Sequence, residues 1–181
     1  MFYSNGGSVK TTVDSWYQTN ITDKGYDSYV VNGTFYEQAK VKSSSRLTSG
    51  SATMDVYTSY TPNFKCATDG NGKGVINSKV GLINIDEVMH AGGYPDKSNS
   101  SYYLYDGRTW TMSPSGFVTG SATVWFVNFT GSVGINYVNS SEGLRSVINL
   151  NVGTLATGTG TRTDPYVIQT NWYYKNYKET F

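Results

Sequence analysis

The second half of the chain is divided by turn residues into short strand-like segments, and this pattern restricts the fold more than any other feature. The segments contain many β-branched and aromatic residues, which strands favour, and the connections between them are short. Short connections join antiparallel neighbours, so the pattern predicts a hairpin-rich antiparallel sheet. The predicted strands are Ser101–Gly107, Arg108–Met112, Thr123–Phe129, Ser132–Val138 and Arg145–Val152.

The segment SVKTTVDSWYQTNI predicts a helix near the start of the chain. Its apolar residues recur at helical spacing, and Ser8 stands where an N-cap is expected. We therefore expect a helix over residues 9–19 with Ser8 as its N-cap. The residues expected on its inner face are Val9, Val13, Trp16, Tyr17 and Ile21.

The segment VGLINIDEVMHAGGYPD contains an acidic pair and the only histidine of the chain, so it is the first place to look for catalysis. It also contains the signals of a short helix after a strand at Val80–Ile83. Asn84 and Glu87 have the spacing of a capping box, Asp86 falls in the first turn, and Gly92 follows the last turn. We interpret the segment as a capped helix in which Ile85, Val88 and Met89 face inward.

An enzymatic interpretation finds no support elsewhere in the sequence. A single histidine, His90, leaves no second base, and no serine lies in a Gly-x-Ser-x-Gly motif. Asp86 and Glu87 are adjacent on a helix and point about 100° apart, which is unsuitable for a glycosidase pair. We expect a protein that is not an enzyme and has no cofactor.

Length and charge limit the remaining classes. The 181 residues fit one domain, for which we expect residues 1–170, followed by an aromatic tail at 171–181. The net charge is +1 and the basic residues are dispersed, so nucleic acid is not an expected partner. No apolar segment is long enough to span a bilayer, so direct membrane insertion is not expected either.

Two further features bear on metals and disulfides. The single cysteine, Cys66, excludes a disulfide within one chain and a zinc site rich in cysteine. The segment DGNGKG, Asp69–Gly74, begins like a calcium loop but has Lys73 at the fifth position and Val80 at the twelfth. We interpret it as a turn, with calcium binding near Asp69 as the alternative, and we expect no metal site.

Five segments in order resemble an uncharacterised domain family found in surface and pilin-like proteins of Firmicutes and related gut bacteria. They are DSWYQTNI, VGLINIDEVMHAGGY, YYLYDGRTWTMSPSGF, EGLRSVINLN and GTGTRTDPYVI, and they cover roughly residues 8–168. The family is similar to the C-type-lectin-like fold shared with formylglycine-generating enzymes, whose Gly-Phe-Arg signature corresponds to Gly143, Leu144 and Arg145. The resemblance implies an α+β fold with two short helices packed on a twisted antiparallel sheet with long loops.

The chain departs from the family pattern in two places. Tyr36 replaces a cysteine that would face Cys66, so the disulfide implied by the family is missing. Ser146 replaces a proline in a segment that we expect to be an edge strand, where the change should be tolerated. The oxygen-activating chemistry of formylglycine-generating enzymes needs paired cysteines, so the resemblance does not extend to that activity.

The resemblance and the aromatic content favour a noncatalytic binding module. We expect an adhesin or receptor-binding domain, outside a bacterial cell or on a virion, whose partner is a surface glycan or protein. Aromatic side chains stack on sugars or on partner side chains, and Asp and Arg add directed hydrogen bonds. The candidate ligand-binding residues are Tyr102, Tyr103, Tyr105, Asp106, Arg108 and Trp110.

Two alternatives stay open. Alternate aromatic residues of this segment, such as Tyr103, Tyr105 and Trp110, could simply be core residues. The protein could also be a structural subunit of a surface filament, pilus or phage virion, with homo-oligomer or filament neighbours as partners. Low charge and the aromatic tail Asn171–Phe181 suit self-association.

Overall fold

The structure is a computed structural model that describes residues 7–36, 75–95, 97–118, 121–161 and 163–169. Within these residues the protein is a mixed α+β chain, with two short α-helices and mostly antiparallel sheets. The predicted α+β class is therefore confirmed. Cys66, the segment Asp69–Gly74 and the tail Asn171–Phe181 lie outside the described residues.

The helices and strands follow one another with short connections in the second half of the chain. Helix α1 (Ser8–Tyr17) continues as a π-helical turn (Gln18–Thr22), and a 3₁₀ turn follows at Asp27–Tyr29. Helix α2 spans Ile85–His90. The strands are β1 (Val30–Val31), β2 (Gly33–Tyr36), β3 (Val75–Ser78), β4 (Val80–Leu82), β5 (Thr109–Val118), β6 (Ser121–Val127), β7 (Val133–Tyr137), β8 (Ser146–Leu150), β9 (Ala156–Thr157) and β10 (Val167–Ile168).

The strands form two three-stranded sheets and two two-stranded ones. The three-stranded sheets have the orders β1-β8-β4 and β5-β6-β7, and the pairs are β2-β3 and β9-β10. All of these pairings are antiparallel. The amide of Met112 in β5 donates to the carbonyl of Ile83 just beyond β4, at 2.8 Å, which joins the two larger sheets.

Four of the predicted strands are confirmed with small changes of length, namely β4, β6, β7 and β8. The expectation that Ser146 lies in an edge strand was wrong. β8 is the middle strand of its sheet, and Ser146 pairs with Leu82 of β4. The succession of short strands along the sequence could not reveal this order, because strand order depends on contacts between distant parts of the chain.

The predicted strand Ser101–Gly107 was also wrong, because this segment is a turn-containing loop. The amide of Tyr105 donates to the carbonyl of Tyr102 at 3.0 Å, and Arg145 donates from its guanidinium to the carbonyl of Leu104. These bonds use backbone groups that a strand would offer to a neighbouring strand. β5 begins only at Thr109 but continues past Met112 through Pro114, where its register with β6 shifts.

Helix α1 agrees with the prediction in its position but not in its ends. Gly7, not Ser8, is the N-cap, and no side chain caps it. The helical path continues to Thr22 through the π turn. Val13 and Tyr17 are buried as expected, whereas Trp16 is exposed. The spacing of Trp16 fits the inner face of α1 only approximately, because the buried face of this helix is narrower than the apolar pattern suggests.

Strand β6 separates two clusters of buried side chains. Its last four residues, 124–127, are apolar and buried without alternation, which is typical of a strand buried on both faces. One cluster, the α1 core, contains Val13, Tyr17, Val30, Phe35, Val80, Leu82, Trp110, Met112, Val124 and Phe126. The other, the α2 core, contains Ile83, Ile85, Val88, Met89, Tyr102, Trp125, Val127 and Val133.

Candidate functional site

The acidic pair and its neighbours in α2 have structural roles. The Asn84 side chain accepts from the Glu87 amide, and the Glu87 carboxylate accepts from the Asn84 amide, each at 2.9 Å. Gly92 has φ +115°, which ends the helix as predicted. Burial raises the pKa of Glu87, although the hydrogen bond from Asn84 opposes this. The capping-box interpretation is confirmed.

The fully buried Asp86 was not expected, since the sequence placed it only in the first turn of α2. The neighbouring amide of Ile85 donates to Ser113 Oγ of β5 at 2.9 Å, so β5 supplies part of the cap. The polar N-terminal end of α2 thus lies against the β5-β6-β7 sheet. No sequence signal indicated that Ser113 accepts a hydrogen bond from the first turn of α2, because this contact joins residues far apart in the chain.

The six candidate ligand-binding residues divide by burial. Trp110 is 3% exposed and lies in the α1 core, where its ring meets that of Phe126 edge-on at 6.2 Å. Tyr102 is 7% exposed and lies in the α2 core. Tyr105 is half-buried, and the remaining three, Tyr103, Asp106 and Arg108, are exposed. The core alternative therefore describes Trp110 but not Tyr103.

Tyr102 packs beneath the 101–108 loop, between the α2 core and the ring of Tyr105. Its ring centre is 6.0 Å from that of Tyr105, and its hydroxyl lies so close to Gly93 that a Cβ there would approach it to 3.1 Å. Tyr102 Oη is buried and has no hydrogen-bond partner among the described residues. Burial raises the pKa of Tyr102 to about 12, with a further rise from Tyr105 and a smaller opposing effect of Arg145.

Arg108 is fixed by partners on two sides. Its guanidinium forms an ion pair with Glu142, whose side chain is only 3% exposed, and it lies 5.2 Å from the centre of the Phe126 ring. Asn136 Nδ2 donates to the same carboxylate oxygen of Glu142 at 2.8 Å. The buried carboxylate is thus satisfied by two donors. One end of the 101–108 loop is thereby attached to the connection between β7 and β8.

Hydrogen bonds also hold this loop against two others. Tyr105 Oη donates to the carbonyl of Phe129 at 2.6 Å. The amide of Asn99 donates to the carbonyl of Thr130 at 3.0 Å, and that of Val133 to the carbonyl of Tyr94 at 3.1 Å. Residues 94–95, 97–106 and 128–132 therefore form one connected set of loops, which we call the loop face.

The loop face exposes three large aromatic side chains. Tyr103 is 52% exposed and Phe129 is 65% exposed, and Tyr94 is similarly exposed. The Lys97 ammonium lies 6.0 Å from the centre of the Tyr94 ring, within the range of a cation–π contact. Sequence reasoning missed Tyr94 and Phe129. The position of Tyr94 between Gly93 and Pro95 could have suggested an exposed turn, but Phe129 looked like the end of a strand.

No metal-binding cluster is found where the structure describes the chain. Its residues include no group of three or more His, Cys, Asp or Glu side chains placed to hold an ion. None of the described helices has the length and apolarity required to cross a bilayer.

The chain was also compared with protein-family models, with curated proteins and with solved structures. No match was found in any of the three comparisons. The function of this protein is therefore inferred from the geometry of its loop face.

Proposed function

We propose that this protein is a noncatalytic extracellular binding module, an adhesin or receptor-binding domain for a surface glycan or surface protein. The observation that supports the proposal is the exposure of Tyr94, Tyr103 and Phe129 on loops that are hydrogen-bonded to one another. Large aromatic side chains on exposed loops contribute little to the core. They are enriched where proteins contact ligands and partners.

The chemistry of the loop face suits a ligand with both apolar and polar surfaces. Aromatic rings offer flat apolar faces, and a pyranose ring or an aliphatic side chain can stack on them. Asp106, Arg108 and Lys97 are exposed nearby in the chain and can provide directed polar contacts. A small-molecule site usually combines a mostly apolar surface with a few polar groups.

The internal bonds of the loops favour binding, because an ordered loop loses less conformational entropy when a ligand arrives. Tyr105 holds the backbone at Phe129, and the Glu142 ion pair holds Arg108. We assign ligand contact to the exposed rings of Tyr94, Tyr103 and Phe129. Asp106 and Arg108 add polar contacts, and Tyr105 has a positioning role. Tyr102 and Trp110 support the loop face through the two cores.

We also propose that the architecture is the C-type-lectin-like fold. Two short helices beside antiparallel sheets, with loops gathered next to β5–β7, are consistent with it. An experimentally determined structure superposed on C-type-lectin-like domains is the test. A different strand order in the equivalent sheets would refute this assignment while leaving the loop face as a candidate site.

The binding proposal is tested by screening the purified protein against glycans and bacterial surface polymers, with and without calcium. The informative variants are Tyr103→Ala and Phe129→Ala, which remove exposed rings from the loop face. Tyr26→Ala is the matched control, because it removes an exposed ring that the structure places next to the 3₁₀ turn. Trp110→Ala is unsuitable, because the residue is buried and its loss would affect folding.

We expect each loop-face variant to weaken binding about tenfold or more, as for a contact at the centre of an interface. The Tyr26 variant should bind like the wild type. Equal losses in all three variants would refute the assignment of the site. A folded wild type that binds nothing in the screen would favour the structural-subunit alternative, which electron microscopy of concentrated samples can examine for filaments.

A further inference from the structure

Two pairs of residues in the described part of the chain have a sequence that allows a side chain to react with its own backbone. Asn32–Gly33 joins β1 to β2, and Asp106–Gly107 lies in the loop before β5. When glycine follows Asn or Asp, its amide nitrogen can attack the side-chain carbonyl carbon, because no Cβ obstructs the approach. The product is a five-membered succinimide ring. The environment of each pair decides whether its backbone can reach this geometry.

The Asn32–Gly33 pair is held on both sides. Val31 before it pairs with Asn149 of β8, and Gly33 pairs with Ser78 of β3. A Cβ on Gly33 would lie 1.7 Å from Asn149 Nδ2, so this side chain covers the glycine. Ring closure requires rotation about the bonds next to the shared peptide group. Pairing to two different sheets opposes that rotation, because the backbone hydrogen bonds would have to break.

The Asp106–Gly107 pair has no such restraint. Asp106 is exposed, and a Cβ on Gly107 would meet no described atom within 4 Å beyond its chain neighbours. Gly107 has φ +79° and lies outside the strands. Neither the Asp106 carboxylate nor the Gly107 amide has a hydrogen-bond partner among the described residues. The nitrogen that attacks and the carbon that it attacks are therefore both available.

We propose that Asp106 converts spontaneously to isoaspartate in the folded protein. The Gly107 nitrogen forms a bond to Asp106 Cγ, and a Cγ–O bond of the neutral carboxyl group breaks. The departing hydroxyl leaves as water with the amide proton, so no oxidant, reductant or enzyme is required. Water then opens the succinimide at either carbonyl, which gives aspartate or isoaspartate. In isoaspartate the main chain runs through Cγ and is one carbon longer.

The conversion changes the loop face at a point between two anchored residues. Tyr105 before Asp106 is bonded to Phe129, and Arg108 after Gly107 is paired with Glu142. An added main-chain carbon alters the path of this short segment and moves the carboxyl group. Any effect on ligand binding rests on the function proposed above. The conversion itself does not, since mass and chromatography detect its product without a ligand.

The test is incubation of the full chain for weeks at physiological temperature, followed by digestion with trypsin. Asp106 falls in the peptide of residues 98–108, apart from the other Asp-Gly pair at Asp69. We expect this peptide to appear with the loss of one water and then as a second chromatographic peak of unchanged mass, which an isoaspartate-specific methyltransferase labels. Asp164 is an internal control that should not react, because Pro165 after it has no amide hydrogen.

A matched comparison uses Asp106→Asn, which gives the loop the same Asn-Gly sequence as Asn32–Gly33. In the folded variant we expect loss of ammonia at position 106 to be at least about tenfold faster than at Asn32, because strand pairing restrains only Asn32. In guanidinium chloride the two rates should become similar. A peptide of residues 98–108 that stays unchanged in the folded wild type overturns the proposal. Equal rates at the two positions of the folded variant overturn it as well.

Discussion

Two hairpins of this chain have similar residues and opposite environments. β5–β6 and β9–β10 are both antiparallel pairs that contain the β-branched residues Val and Thr. In β6, Val124 and Phe126 are buried in the α1 core, and Trp125 and Val127 are buried in the α2 core. In β9–β10, Val167 is exposed and Ile168 only half-buried.

The difference shows that strand-forming residues do not determine burial. β5 and β6 contact α2, and Trp110 and Phe126 pack with Val13 and Tyr17 of α1 in the same cluster. The chain offers no corresponding described element over β9–β10. Apolar area removed from water stabilises a fold by roughly 25 cal/mol per Å². The same type of side chain should therefore contribute much to stability in β5–β6 and little in β9–β10.

The largest expected effect is that of Trp110→Ala in the central hairpin. Loss of this buried ring leaves a cavity beside Phe126 and should cost about 3–5 kcal/mol of unfolding free energy. Val167→Ala in the peripheral hairpin should change it by less than about 0.5 kcal/mol. Urea unfolding at low protein concentration measures both. Similar losses in the two variants would remove the contrast between the hairpins.

The next effect concerns the backbone that passes beneath a ring of the α1 core. A Cβ on Gly81 of β4 would come within 2.3 Å of the Phe35 ring. Gly81→Ala should therefore cost about 1–3 kcal/mol through overpacking. The double variant Phe35→Leu with Gly81→Ala should lose less than the sum of the two single changes, because the smaller side chain relieves the contact. Additive losses would show that the ring does not oppose the added methyl group.

A smaller loss is expected at the cap of α2, which covers one side of the central hairpin. Asn84→Ala removes the acceptor of the Glu87 amide and should cost about 1 kcal/mol. Asn84→Ser keeps an acceptor and should recover most of that loss. Unfolding curves give the energies, and binding of any ligand found in the screen should persist. Lost binding by a folded Asn84→Ala protein would give this turn a functional role.

The smallest effect at neutral pH is expected for Tyr102→Phe, since Tyr102 Oη has no partner among the described residues and its removal leaves none unsatisfied. At alkaline pH the two proteins should differ. Burial raises the pKa of Tyr102 to about 12, so the unfolded chain loses this proton near pH 10 while the folded protein keeps it. The unfolding free energy of the wild type should therefore fall as the pH rises from about 10 to 12.

Tyr102→Phe should reduce this alkaline fall without abolishing it, because burial also raises the pKa of Tyr17 to about 12. Urea unfolding at several pH values between 8 and 12 measures the slope. Tyr103→Phe is the control, because it removes an exposed hydroxyl from the same loop. A slope unchanged by Tyr102→Phe would contradict the buried state of this phenol.

Sequence reasoning predicted the parts of the site that depend on neighbours in the chain. The Asn84–Glu87 box and the end of α2 at Gly92 were predicted from spacing alone, because capping involves residues three or four positions apart. The loop face was predicted only in part. Tyr103, Asp106 and Arg108 are exposed as a contact surface requires, but Phe129 joins them through a bond from Tyr105, 24 positions away.

The sequence by itself determined the helix α2 with its caps and the strands β6, β7 and β8, because these follow from local periodicity and turn residues. The α+β class was implied by the family resemblance and not by these local patterns. Tertiary structure alone decided that residues 101–107 form a loop and that β8 is a middle strand. It also placed Trp110 in the core and left Val152 in water. These outcomes depend on which distant segments meet, and hydrophobic burial is non-directional, so no local pattern specifies them.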